Sequence, residues 1–516
     1  MAISSIFNDV LGPVMRGPSS SHSAAACRIG LLLRDLMHGE INDVSIDYDP
    51  NGSLVTTHKS QGTDMGLYGG LLGWQTDDAR MIDYQKYVDE AGIDIRVHYL
   101  SYGAIHPNNY QITISNAAVT HTVSAISTGG GMMEIQKIDG SVVSMNGDYH
   151  ELLIFGEVLP IIRNFLPDIQ CDALLEHNHF IEIKSATPFP ESVVQEIEHI
   201  SGVIEVCYLR PVVPVLSRKN LEVPFLNCHK MLTLGRTEQM DLWELAVMYE
   251  SQRGGISEQE AIDQMYRILK VMRRSVAEGL EGTYFEDRIL PVQSVGFQDK
   301  MEEKQLLDGG MLNKMILYTT AVMEVKSSMG VFVAAPTAGS CGALPGAVLG
   351  AADSMGCSDE EVVKALFAAG MMGVFISEHA TFAAEVAGCQ AETGAGGSMA
   401  AAGLVTLMGG TLDQAVAASS LALQNSLGIV CDPIGNRVEA PCLGKNIMAA
   451  SNALSCANMA LAHYDHLIPF DEVVQSMKEV GDMMAHELTC TGLGGLAATP
   501  TGRAIEARLK EKAKFC

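Results

Sequence analysis

Several polar loops in this sequence carry the side chains that chemistry needs. Gly17-Pro18-Ser19-Ser20-Ser21-His22-Ser23 runs directly into the amphipathic segment AAACRIGLLLRDLM. Hydroxyls ahead of a helix cap its first turn, and the free N–H groups there favour an anion such as a substrate carboxylate. A histidine in that loop can carry a proton near neutral pH; a purely structural cap would use the same residues. Gly52-Ser53, Gly62-Thr63-Asp64, His106-Pro107-Asn108 and Ser127-Thr128-Gly129-Gly130-Gly131 follow. Each offers polar groups or close backbone approach at the end of a β element, where small-ligand sites form, although turn chemistry alone explains each equally well.

The second half holds cysteines beside glycine, proline and polar residues. Cys389 lies in GCQAE, and Cys431 and Cys442 bracket the loop CDPIGNRVEAPC. Two cysteines eleven positions apart, with proline and glycine between them, can curl around one metal centre. Zinc prefers four closed ligands or a CxxC pair, whereas three thiolates suit a [4Fe–4S] cluster with one iron left open. Buried structural cysteines are the alternative, because all twelve in a reducing compartment can serve as small hydrophobes.

These loops need scaffolds. At 516 residues the chain exceeds what one core usually supports, so at least two large units are expected. Residues before about 225 mix β-rich runs (VSIDYD, IDIRVHYL, YQITIS) with turns; afterwards Ala, Met, Leu and Gly recur at helical spacing. The expected fold is therefore an α+β N-terminal half followed by an all-α, Ala/Gly-rich half. Between residues 150 and 210, ELLIFGE, VLPIIRNFL, CDALLEH, FIEIKSA, PESVVQEIEHI and IEVCYLRP read as β-α-β-β-α-β, a ferredoxin-like plan. The expected boundaries are 1–148, 149–212, a proline-containing linker at 213–227, and 228–516. A homodimer is the expected assembly.

The apolar stretch Met329–Ala352 is interrupted by Pro336, Pro345 and five glycines, which suits a buried loop leading into a helix better than a membrane span. No export signal opens the chain, so a cytoplasmic location is expected. The balance of 34 Lys+Arg against 61 Asp+Glu, a net charge of −27, opposes binding to nucleic acid or an anionic membrane and favours a small-molecule partner.

Taken together, GPSSSHS, GTD, HPN, STGGG, APTAGSCGALPG, GCQAE, CDPIGNRVEAPC and TGLGGLAATPTG resemble the iron–sulfur-dependent L-serine dehydratases over nearly the whole chain. The resemblance implies a β part fused to an α part, with residues 149–212 as an ACT-type unit. By motif it carries cluster ligation onto Cys389, Cys431 and Cys442, and substrate holding and acid–base work onto Ser19, Ser20, Ser21 and His22. Ser23, Ser53, Thr63, Asp64, Asn108, Thr337 and Gly339 would line the substrate pocket. A cysteine at the extreme C-terminus caps the cluster in some members; here that is Cys516, with Cys490 as a nearer rival. The implied reaction removes the α-proton and the iron-bound β-hydroxyl without pyridoxal phosphate. His22 is the first choice for the base and His106 the second.

The chain departs from the family pattern at Ser23, where Thr is usual, and at Ala338, where many members have Asn. A cysteine common shortly after GCQAE is replaced by Ala395-Gly396-Gly397. Threonine, a 3-hydroxy acidic amino acid or cysteine are the alternative substrates, and an amino-acid sensor containing a cluster is the alternative of a different class.

Overall fold

The computed structural model describes residues 3–156 and 171–512. Strands are numbered β1 (Val14–Met15), β2 (Asp43–Tyr48), β3 (Asp94–Tyr99), β4 (Asn109–Ser115), β5 (Thr120–Gly129), β6 (Met132–Ile138), β7 (Ser141–Met145), β8 (His150–Gly156), β9 (Ala173–Glu176), β10 (Phe180–Ser185), β11 (Val203–Leu209) and β12 (Phe332–Val333). A six-stranded sheet has the order β3-β2-β4-β5-β6-β7, parallel between β2 and β3 and antiparallel elsewhere. Period-2 alternation sets its register: Val44, Ile46 and Tyr48 on β2 and Tyr110, Ile112 and Ile114 on β4 point into one core.

Helix Ala25–Leu36 covers that face and crosses helix Thr63–Leu71. The crossing is so close that a Cβ on Gly30 would lie 2.4 Å from the Leu67 carbonyl oxygen, and one on Gly70 would lie 2.2 Å from that of Cys27. Only glycine permits this approach. The crossing brings the Ser19–Ser23 loop and the Gly62–Thr63 loop together.

The second sheet is fully antiparallel with the order β11-β8-β10-β9, as a ferredoxin-like unit requires. Helix Glu191–Glu198 packs against β11. The helix expected over VLPIIRNFL lies outside the described residues.

Beyond residue 228 the described structure is helical apart from the two-residue strand β12. Helices Ala343–Met355, Asp359–His379 and Ala395–Leu407 form its centre, with most of their residues buried, and their Ala and Gly content lets the backbones approach closely. Ser358 starts the middle one with a capping box, its backbone N–H bonding to Glu361 at 2.7 Å. By length and composition Asp359–His379 is also apolar enough to cross a membrane, but 78% of its apolar window is buried in the protein. The stretch Met329–Ala352 folds as read from its prolines and glycines: β12, a short turn at Ala338–Ser340 and then a buried helix.

The start of the chain belongs physically to this helical half. Ile6, Phe7, Val10 and Leu11 are fully or almost fully buried in its core, and β1 pairs antiparallel with β12. A Cβ on Gly373 would meet Val10 at 2.2 Å. The expected linker is pinned as well: Asn8 exchanges hydrogen bonds of 2.7 and 3.0 Å with the backbone of Val215.

Candidate active site

Two wide helical turns open the two helices that face the site: Ser20–Ala24 before Ala25–Leu36, and Gln390–Gly394 before Ala395–Leu407. Turns of this π type insert a residue into the helical register and recur at functional positions.

In the first turn His22 is completely buried. Its Nδ1 lies 3.0 Å from Ser19 Oγ and 3.5 Å from Glu385 Oε1, and its Nε2 lies 2.9 Å from Thr57 Oγ1. Burial, with a contribution from nearby His58, lowers its pKa to about 3, so the imidazole is neutral at physiological pH. Ser20 Oγ accepts a hydrogen bond from the Ala338 N–H at 3.2 Å, tying the loop to the helical half. At this departure from the family pattern, the backbone makes the contact. Ser23 donates to the Gln61 carbonyl at 3.2 Å, and Ser21 is buried in the same turn.

The other expected pocket residues stand one layer back. Thr57 donates to the Ser53 carbonyl at 2.7 Å, and Ser53 in turn donates to Asn108 Oδ1. Asn108 is fully buried, and its Nδ2 has no partner among the described residues. Asp64 holds His58 Nδ1 at 2.7 Å while His58 Nε2 meets the Tyr99 hydroxyl at 2.8 Å; Thr63 faces Tyr110. His106 is engaged within its own loop, where its Nδ1 accepts the Asn108 N–H at 3.2 Å. It is not among the groups that meet His22.

On the helical side Cys389, Cys431 and Cys490 are buried together. Cys431 N–H donates to Leu488 at 2.8 Å and its carbonyl accepts from the Cys490 N–H at 3.0 Å, which fixes the two thiols side by side. Cys442 opens helix Cys442–Leu461 and is also buried. Asn446 locks that helix to the Thr337–Gly342 loop, donating to the carbonyls of Gly339 at 2.8 Å and Cys442 at 2.9 Å. Hydrogen bonding to Cys389 and Cys490, together with burial, drives the Cys431 thiol well above its usual pKa, and burial does the same for Cys442. Cys516 lies outside the described residues.

Two carboxylates join the thiols. Glu392 and the sulfurs of Cys389 and Cys431 lie within 4.8 Å of one another. Thr337 donates to Glu392 at 2.7 Å, and a Cβ on Gly339 would sit 2.7 Å from the same carboxylate. Burial, and the like charge of Glu385, push Glu392 up to about 7. Burial also raises Glu385, and one of its oxygens has no partner among the described residues. Lys445 supplies the positive charge, lying 2.5 Å from Asp432, 2.6 Å from the Val430 carbonyl and 3.9 Å from Cys389 Sγ. Gln61 reaches Cys490 at 3.9 Å, so the two halves touch at the thiols as well.

The arrangement can hold a thiophilic metal centre and move a proton beside it. Residue patterns alone missed Glu385, Thr57, His58, Gln61 and Lys445. Glu392 was in plain view, since it ends the GCQAE motif, and Lys445 lies one helical turn after Cys442.

Known proteins match this organisation. The serine dehydratase alpha chain family model covers residues 237–497, about half of the chain, including Cys389, Cys431, Cys442, Cys490, Glu385 and Glu392. The probable L-serine dehydratase alpha chain of Bacillus subtilis is 35% identical over 285 residues, covering 55% of this chain and 95% of its own length. L-serine dehydratase of Streptomyces coelicolor is 32% identical over 491 residues, covering 93% of this chain and 96% of its own length. L-serine dehydratase 2 of Escherichia coli is 26% identical over the same extent. With a family model spanning half of it and a relative matched from end to end, the chain belongs to the serine dehydratase alpha chain family.

Proposed function

We propose that this chain is a lyase that converts L-serine to pyruvate and ammonia, using a [4Fe–4S] cluster held by Cys389, Cys431 and Cys442. The observation that carries this reading is the buried meeting of the Ser19–Ser23 turn with the thiols, bridged by His22–Glu385 and Gln61–Cys490. The relatives named L-serine dehydratase support the substrate. The residues fit the cluster: free thiols are buried against one another, and the Glu385 and Asn108 side chains keep polar atoms without a partner among the described residues, which a substrate can satisfy. On this reading residues 1–148 carry the substrate loops, 149–212 an ACT-type unit, 213–227 a linker and 228–516 the cluster.

When bound, the cluster supplies a Lewis-acidic iron that makes the β-hydroxyl a better leaving group. The N–H groups and hydroxyls of Ser19–Ser21 receive the substrate carboxylate. Neutral His22 accepts the α-proton, and its Ser19, Thr57 and Glu385 contacts hold the ring in place. The C–H electron pair becomes the new C=C bond while the C–O bond breaks, and hydroxide leaves with its pair. Glu392, beside Cys389 and Cys431, can deliver the proton that turns it into water. The aminoacrylate product tautomerises to an imine, which water hydrolyses to pyruvate and ammonia.

The test is anaerobic purification with iron, followed by turnover of serine, threonine, a 3-hydroxy acidic amino acid and cysteine. Serine is expected to be the preferred substrate, with about four irons per chain lost in Cys389→Ser, Cys431→Ser and Cys442→Ser. His22→Ala should retain its iron and lose roughly 100-fold or more in turnover. Iron-loaded protein that turns over none of the four, or three cysteine variants that all keep iron and activity, overturns the reading.

A further inference from the structure

A second group of metal-ligand side chains lies outside this site, where the ferredoxin-like unit meets the six-stranded sheet. Glu205 and Cys207 occupy alternate positions on β11 and so face the same way. His38 follows helix Ala25–Leu36, with a left-handed backbone at φ 51°. The ligand atoms of His38, Glu205 and Cys207 lie within 4.8 Å of one another. His121, on β5, is 2% exposed and points its Nε2, which makes no close hydrogen bond among the described residues, at the other Glu205 oxygen.

We propose that His38, Glu205 and Cys207 bind a zinc ion that clamps the ferredoxin-like unit to the sheet, with His121 orienting the Glu205 carboxylate from its other oxygen.

The spacings suit a shared ion. His38 Nε2 is 3.3 Å from Glu205 Oε1 and 3.7 Å from Cys207 Sγ, while His121 Nε2 approaches the outer carboxylate oxygen, Glu205 Oε2, at 3.5 Å. Tetrahedral zinc with bonds of about 2.0–2.3 Å separates its ligand atoms by about 3.3–3.7 Å. Direct ion-pair hydrogen bonds are shorter, about 2.7–2.9 Å. The same histidine shows the contrast: His121 Nδ1 meets Asp139 at 2.7 Å, an ordinary hydrogen bond. Asp139 fixes the His121 tautomer and aims its other nitrogen at Glu205, so the pair orients a zinc ligand from outside the ion's own ligands. A mixed thiolate, imidazole and carboxylate set in tetrahedral array selects zinc over magnesium or calcium. Binding displaces the Cys207 thiol proton, which now points to the Leu36 carbonyl at 3.3 Å.

The ligands come from two separate pieces of the chain, and His121 from a third. One of them ends the helix whose other end is the Ser20–Ala24 turn, so the ion holds the scaffold behind that turn.

Full-length protein produced with zinc supplied, desalted and analysed for zinc and iron, tests the site. About one zinc per chain is expected. It should persist in Cys389→Ser, which separates it from the cluster cysteines, and vanish in His38→Ala and Cys207→Ser while iron is kept. His38 is half exposed, so its variant does not endanger folding. Asp139→Asn should weaken zinc binding by about 10- to 100-fold. Replacement by Co2+ should give a thiolate charge-transfer band that Cys207→Ser abolishes. Wild type without zinc after exposure to micromolar Zn2+, or His38→Ala and Cys207→Ser with undiminished zinc, overturns the proposal and leaves an ion-pair cluster sharing a proton.

Discussion

Lys445→Met removes the ammonium that lies 3.9 Å from Cys389 Sγ. This ammonium is largely buried and sits 2.5 Å from Asp432 Oδ1 and 2.6 Å from the Val430 carbonyl. Asp432 is more buried still, and its other oxygen accepts the Leu496 N–H at 2.8 Å. Methionine keeps the aliphatic bulk but leaves a buried carboxylate without its countercharge. Breaking a buried pair from one side costs about 3–5 kcal/mol. The Leu496 N–H still stabilises the carboxylate, so a loss of about 3 kcal/mol is expected. Asp432→Asn alone should cost less, and the double variant should recover about 2 kcal/mol relative to the sum of the singles. The assay is hydrogen exchange of segments 430–445 and 488–496 in iron-free protein, which reads local opening without requiring both halves to unfold together. A coupling below about 0.5 kcal/mol, the scale of an exposed pair, would refute the reasoning.

Glu151, buried beside Lys184 and Glu182, has its pKa raised by burial to about 8. Since the folded state holds this proton more tightly than the unfolded chain, stability falls as pH rises from about 4.5 to about 8. Glu151→Gln should therefore match wild type near pH 4.5 and exceed it by a few kcal/mol near pH 9; parallel denaturation curves at both pH values would exclude this. Gly66→Ala drives a Cβ to 1.9 Å from the Ser23 carbonyl oxygen, so it should cost about 3 kcal/mol or more and raise KM, whereas Gly296→Ala, with open space around it, should stabilise by about 0.5–1 kcal/mol. Cys490→Ala should keep the cluster but shorten its lifetime in air if Cys490 is its fourth ligand; equal decay of wild type and Cys490→Ala, with faster decay of Cys516→Ala, would assign that role to the terminal cysteine.

Much of the architecture was legible because it rests on local pattern. Alternation located β2, β3 and β4, and the order of strands and helices from residue 150 to 210 announced the ferredoxin-like sheet. Cys389, Cys431 and Cys442 stood out because proline and glycine surround them. Cys490 is harder: its partnership with Cys431 depends on two backbone hydrogen bonds between segments far apart in sequence. Glu385 and Thr57 have no local signature, since only tertiary contact brings them to His22. His106 has the right chemistry but is held in its own loop. The burial of Ile6, Phe7, Val10 and Leu11 in the helical half was not legible either, for a short apolar run does not name its partner.

The pairing of β1 with β12 and the Ser20–Ala338 hydrogen bond, which spans 318 positions, also set the timing of synthesis. At about 5–20 residues per second, the N-terminal segment waits roughly 15–60 s on the ribosome before its docking surface is made. During that interval Ile6, Phe7, Val10 and Leu11 form an exposed apolar stretch, the kind of sequence to which holding chaperones bind. Fusing the two halves in one chain guarantees that the waiting segment and its partner are made together in equal number.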